Sequence, residues 1–323
     1  MNFKSKLFIS IAGLYVMTTG TVKYIEFINT KINETYLSRF TRDDEVNAYK
    51  ESAPQFYLPI TSSPAVTPEK TASTKIPHAT LVLHGFTVGP NNFHLLLDSM
   101  KQKQMPYYAP LLTGFGLQDF HISQHVVASD WLRDAVHAYD LLSEVADKVS
   151  IVGHSNGGVL ACLLAQIRPV HKLVLISPNL APCDDDKGTK KLLSTPIIST
   201  ILKWAHPITR TNDRPRRTLY SDLSDLKEGE QAFSQTSISL QSLQALWTLQ
   251  DQVDFKKIKT DSLFVLYGAQ DLAVDTKAGL KKLNDSGLIY KTFVYSGSAH
   301  APHVDSDRNR VNEDLIDILT DQN

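Results

Sequence analysis

From Ala79 onward, short apolar runs alternate with longer stretches whose apolar residues recur every three or four positions. ATLVLHG (79–85) predicts a buried strand, and NNFHLLLDSMKQK (91–103) carries the spacing of an amphipathic helix. QMPYYAP (104–110) predicts a second strand and VVASDWLRDAVHAYDLLSEV (126–145) a long helix. KVSIVG (148–153) reads as a strand running into a helix over GGVLACLLAQI (157–167), followed by a strand at KLVLIS (172–177). SLFVLYG (262–268) and YKTFVYS (290–296) are two more strands, separated by the helical TKAGLKKLN and followed by the helical NRVNEDLIDILTD. Crossovers of this length join parallel strands, so the predicted class is α/β: a mostly parallel open sheet with helices on both faces.

One interval breaks this rhythm. Between Pro178 and Phe255 no convincing strand is visible, only helix-like segments such as KKLLSTPIISTILKWA and ISLQSLQALWTLQDQVD, which predict an inserted helical cap at about residues 179–256. Ligands of open α/β sheets gather at the carboxyl ends of the strands, so a cap inserted after such an end would lie over the site.

The first residues differ in kind. Lys4 and Lys6 precede a nearly uncharged run from Leu7 to Val22, which Lys23 closes. Sixteen helical residues reach about 24 Å, against roughly 30 Å of hydrocarbon, so residues 1–23 read as a signal peptide or a short membrane anchor. The expected setting is the cell envelope or an exported protein. Residues 24–77 form an extension ending in a Pro/Ser/Thr-rich linker, leaving 78–323 for the α/β domain.

Composition narrows the partners. With 42% apolar residues, 21% charged residues and a formal net charge of -1 over 323 residues, the chain lacks the basic excess of a nucleic-acid binder. Its two cysteines, Cys162 and Cys183, make neither a disulfide framework nor a CxxC motif, and whether they pair is not legible. His121 and His125 in HISQH share a helix face, but no third ligand and no HExxH accompany them, so no metal is expected. The cluster RTNDRPRR (210–217) is followed by the acidic SDLSDLKEGE and reads as a solvated cap surface.

The candidate chemistry lies in IVGHSNGGVL (151–160), where Ser155 stands between glycines at a strand-to-helix turn. A serine hydroxyl needs a base within hydrogen-bond reach and an acid that orients the base. Asp271 follows the strand SLFVLYG and His300 follows YKTFVYS, giving the order Ser, acid, His along one sheet edge. Asp275 and His303 are rivals, farther from their strand ends. Negative charge on an attacked carbonyl needs backbone donors, for which the N–H groups of Asn156 and of Phe86, in HGF after the first strand, are the candidates. His84 and His154 read as packing or loop-ordering residues.

These stretches together resemble the α/β-hydrolase superfamily, in its carboxylesterase and monoacylglycerol-lipase-like branch. The resemblance rests on HGF (84–86), YYAPLLTGFG (107–116), GHSNG (153–157), GAQDLAVD (268–275) and SGSAHAPH (296–303). It implies Ser155 as nucleophile, Asp271 as acid, His300 as general base, Phe86 and Asn156 as oxyanion donors, and a helical cap. TGFG (113–116) departs from the Gly-His-Gly common among relatives. The expected activity is hydrolysis, through an acyl-enzyme, of a small-molecule or lipid-like ester with an apolar acyl group, without a cofactor. An acyltransferase or amidase would use the same triad. A non-catalytic, membrane-tethered binding protein of the same fold is the alternative of another class.

Overall fold

A computed structural model of the chain describes residues 75–115, 126–205, 208–210 and 237–321. Residues 1–74, on which the expected signal or anchor segment and linker fall, His121, His125 and residues 211–217 of the basic cluster lie outside the described residues. No helix among the described residues is long and apolar enough to cross a membrane.

Six strands form one parallel sheet: β1 (Ile76–Leu83), β2 (Tyr107–Tyr108), β3 (Ala146–His154), β4 (Val170–Ile176), β7 (Thr260–Gly268) and β8 (Lys291–Tyr295), in the order β2-β1-β3-β4-β7-β8. The chain runs outward to β2, returns to the far side of β1 and then proceeds steadily to β8. The order therefore reverses at the β1/β3 boundary, where crevices open in such sheets. The register levels the carboxyl ends there, with Leu83 opposite Gly153 and His154 opposite Ile176.

Alternate strand residues point to opposite faces, and each face finds its helices. Leu81, Leu83, Ile151, Leu173, Leu175 and Val265 share one core with α2 (Ala128–Val145) and α3 (Asn156–Ile167). Val82, Val152, Val174, Ile176 and Leu266 share the other with α1 (His94–Gln102) and α8 (Arg308–Thr320), while α7 (Thr276–Ser286) links β7 to β8. Lys172 is buried on the α8 side, where its ammonium donates to the carbonyls of Ile318 (2.7 Å) and Asp321 as that helix ends. A cation so placed also complements the helix dipole.

The insertion between β4 and β7 holds α4 (Asp184–Leu193), α5 (Pro196–Ala205) and α6 (Leu240–Gln252). KKLLSTPIISTILKWA is two helices rather than one continuous segment. Pro196 opens the second, because proline suits a first helical turn but disfavours helical geometry in the residue before it. A second difference is a short antiparallel ribbon, β5 (Ile208–Arg210) with β6 (Ser237–Ser239), in an interval where the sequence shows no strand. Three-residue strands are too short to display a two-residue period. The strand expected over 104–110 pairs only at Tyr107–Tyr108, where Pro106 and Pro110 bracket it and cannot donate to a ladder.

Helix α3 approaches the end of β1 too closely for a side chain at Gly157, whose added Cβ would lie 2.1 Å from the Leu83 carbonyl oxygen. Gly157→Ala is expected to lower the urea-unfolding free energy by about 3 kcal/mol, since neither backbone has room to yield. A change under about 0.5 kcal/mol would contradict this packing.

Candidate active site

Three strand ends meet at one point. Ser155 follows β3 at φ +53° and ψ -112°, a conformation that costs a non-glycine residue about 1–3 kcal/mol. The surroundings hold it there. Its N–H donates to the Ile176 carbonyl (2.9 Å), and its own carbonyl accepts from Gly158 (3.1 Å) and Asn179 (3.1 Å). Gly153 is confined as Gly157 is, for a Cβ on it would meet the Gly157 carbonyl oxygen at 2.4 Å.

The Ser155 Oγ lies 2.9 Å from His300 Nε2, and His300 Nδ1 lies 2.8 Å from Asp271 Oδ2. An ionised carboxylate only accepts, so Nδ1 carries the ring proton and Nε2 is left to accept from the serine hydroxyl. The other oxygen of Asp271 accepts from the N–H groups of Ala273 (2.8 Å) and Val274 (3.4 Å). The histidine and aspartate side chains are 5% and 1% exposed, so water competes little for either bond.

The rivals go elsewhere. Asp275 caps α7, accepting from Ala278 N–H (2.9 Å), and lies 3.6 Å from Lys187. His303 bonds Asn92 Oδ1 through Nε2 (2.7 Å) and stacks on Phe93. His154 donates Nε2–H to the carbonyl of His300 (3.0 Å), tying the serine turn to the histidine loop. His84 bonds the Gly85 carbonyl through Nδ1 (2.9 Å) and receives Leu112 N–H at Nε2 (3.0 Å). Both histidines therefore order loops.

The two candidate oxyanion donors flank the serine. Asn156 heads α3, where the first N–H groups have no intrahelical acceptor and the helix dipole is positive. Phe86 follows Gly85, whose added Cβ would come within 3.3 Å of Ser155 Cβ, so this loop lies against the serine. Neither N–H finds a protein acceptor among the described residues. The Phe86 ring stands edge-on to Phe115 and Trp131, an aromatic wall beside the loop.

Several supports were not legible in the sequence. Asp305 and Asp307 pin the histidine loop, accepting from Ala299 N–H (2.7 Å), Gly297 N–H (2.9 Å) and the Ser298 hydroxyl (2.8 Å). The run DSD before a helix signals such turn bonding, although not its target. Asn179, bonded to the Ser155 carbonyl, also receives Gln250 Nε2 of α6 on its carbonyl and on Oδ1, at 2.9 Å each. Gln250 in turn accepts from Lys190 of α4 (2.9 Å), so the cap helices reach the serine turn through hydrogen bonds. Cys162 and Cys183 are free thiols, and burial pushes the Cys162 thiol up to about 12. Among the described residues no cluster of ligands suits a metal ion.

The model of the alpha/beta hydrolase family matches residues 80–313, which is most of the chain. The chain belongs to the alpha/beta hydrolase family. Within it, a carboxylesterase of Bacillus subtilis is 24% identical over 244 residues, covering 75% of this chain and 92% of that protein. A monoacylglycerol lipase of Paleococcus ferrophilus superimposes with a TM-score of 0.61 at 17% identity, covering 76% of this chain and 95% of its own. A carboxyl esterase of Bacillus coagulans, solved with glycerol, also gives 0.61, at 18% identity over 75% of this chain and 89% of its own. Both solved structures share the fold of this alpha/beta hydrolase.

The histidines around the site make its stability depend on acid. Burial pushes His84 down to about 4, although its bond to the Gly85 carbonyl favours the charged form. Burial and then the neighbouring His300 push His154 down to about 3, and burial followed by His154 holds His303 well below the ordinary value of 6.5. The unfolded chain thus takes up protons first as pH falls. Stability is full above about pH 6.5 and is lost toward pH 4, with a slope of about 1.4 kcal/mol per pH unit for each of these histidines. Urea midpoints measured from pH 7.5 to 4.5 are expected to fall steeply below pH 6.5, and a flat profile would contradict the neutral buried imidazoles.

Proposed function

We propose that this alpha/beta hydrolase is a serine carboxylic-ester hydrolase working through an acyl-enzyme. The observation that carries the reading is the unbroken line from Ser155 through His300 to Asp271, at 2.9 and 2.8 Å. In this reading Ser155 attacks the ester carbonyl while His300 takes its proton. Asp271 holds the imidazole in the required tautomer and stabilises the imidazolium. The N–H groups of Phe86 and Asn156 receive the charge that grows on the carbonyl oxygen, and such donors are worth about 3–4 kcal/mol each to the barrier. His300 then gives its proton to the leaving alcohol, and water, activated in the same way, releases the acid.

The substrate class is argued from the relatives and from the aromatic cluster beside the serine. The similar proteins include a carboxylesterase and a monoacylglycerol lipase, and the half-buried Phe86 ring, backed by Phe115 and Trp131, favours an apolar acyl group. An ester of medium or long chain is the proposed substrate. The opening residues 1–23 are read as the export or anchoring segment that would bring the enzyme to it.

Fluorophosphonate labelling and a series of p-nitrophenyl esters of increasing chain length test the proposal. Ser155→Ala is expected to abolish labelling and lower kcat by at least about 10⁴-fold, with Asp271→Asn losing about 10⁴-fold. Asp275→Ala is expected to lose only about 1 kcal/mol of stability, as a cap does, and to keep its activity. A folded wild type that resists labelling would favour a binding protein. Transfer of the acyl group to an added alcohol in preference to water would identify an acyltransferase.

A further inference from the structure

We propose that the Asn179 side chain determines specificity: it is a fixed N–H donor that receives an acceptor oxygen carried by the ester a few bonds from its scissile carbonyl. The inference rests on the reading of Ser155 as the nucleophile of an ester hydrolase. It adds a polar requirement to a substrate otherwise defined by its apolar part.

The direction of the donor follows from a chain of exclusions that starts on the cap. Lys190 Nζ, held by Asp251 at 2.5 Å, lies 2.9 Å from Gln250 Oε1. An ammonium only donates, so the oxygen of the Gln250 amide faces Lys190 and its nitrogen faces Asn179. That nitrogen donates to the Asn179 carbonyl and to Asn179 Oδ1, at 2.9 Å each. Oδ1 is thereby turned toward α6, and Nδ2 is turned away from it. The main chain is held as well, because the Asn179 N–H donates to the Ser155 carbonyl at 3.1 Å. Both ends of the residue are thus fixed before any ligand arrives.

Nδ2 is the polar atom of Asn179 that finds no partner among the described residues. The residue is 8% exposed, yet Nδ2 is not one of the polar atoms sealed from solvent. Residues 177–181 are buried throughout, so the space it opens into lies inside, between the serine turn and the cap. Phe86 follows β1, Ser155 follows β3 and Asn179 follows β4, which are neighbours in that order. The donor therefore stands across the serine from the aromatic rings.

Packing alone does not call for this arrangement. Leu180 and Ala181 beside it, and Leu246, Trp247 and Leu249 on α6, are buried and apolar. An apolar residue at 179 would close the same space without a buried glutamine to orient it. An amide aimed in advance loses little rotamer freedom on binding, and it discriminates against a ligand that leaves it unpaired.

The acceptor oxygen can belong to the acyl chain or to the alcohol. The test uses the full chain and two pairs of esters in which oxygen replaces a methylene group. One pair is p-nitrophenyl β-methoxypropionate and p-nitrophenyl valerate; the other is methoxyethyl octanoate and butyl octanoate. The readout is the ratio of kcat/KM within a pair, compared between wild type and variant, which cancels the intrinsic reactivity of the esters.

Asn179→Leu is expected to lower the preference for the oxygen-bearing ester about three- to tenfold in at least one pair, and that pair identifies the side of the ester that is read. Asn179→Asp keeps the shape but offers no N–H, and should lose the preference too. Gln250→Met, which fills similar space without the amide, should lose at least about half of it. A residue that only packs would slow both esters of a pair alike. The proposal is overturned if both ratios in folded Asn179→Leu match those of the wild type, or if Asn179→Asp or Gln250→Met keeps the full preference. Should Asn179→Leu fail to fold, Asn179→Asp decides in its place. Ester hydrolysis that survives Ser155→Ala would instead sink the triad reading itself, whatever the ratios.

Discussion

The approach of helix α3 to the end of β1, where Gly157 leaves no room for a Cβ, governs the geometry of the whole site. Because the helix starts that close to the sheet, the chain must reverse within one residue, and that residue is Ser155 at φ +53°. The same crowding sets the loop after β1 against the serine, so that two backbone segments border one hydroxyl. The level register of β1, β3 and β4 then brings the following loops to the same height. A serine hydroxyl standing at the point where strand order reverses is thus a packing result before it is a chemical one.

The cap joins this arrangement by polar contacts. Lys190, Gln250 and Asn179 form a chain of hydrogen bonds from two cap helices to the carbonyl of Ser155. Asn179 stands just past β4, and nearby Pro182 pairs with Val274, three residues beyond Asp271. The root of the insertion is therefore wedged between the serine turn and the aspartate loop. Movement of the cap would be felt at both.

Much of this was legible in the sequence, for definable reasons. Buried parallel strands are continuous apolar runs, so β3, β4 and β7 stood out, and the amphipathic period marked α2 and α8. The serine turn was visible because close backbone approach admits only glycine at 153 and 157. Where local pattern carried no information, the reading stopped. Nothing in the spacing separates a proline-split helix pair from one helix in the cap until Pro196 is weighed against its neighbours, and three-residue strands have no period. Asp271 and Asp275 differ in which way their side chains turn, a tertiary matter. The bond from Leu112 to His84 spans a crossover, and sequence alone shows no trace of it.

The ribbon of β5 and β6 carries a consequence for the variability of the insertion. Arg210 and Ser237 are paired partners, so the stretch 211–236 leaves and returns at one place. Changing the length of chain between ends that are already clasped costs only a logarithmic term in entropy, roughly 0.6 kcal/mol per doubling. The clasp therefore isolates the sheet, the serine turn and the histidine loop from changes of chain length between Arg210 and Ser237.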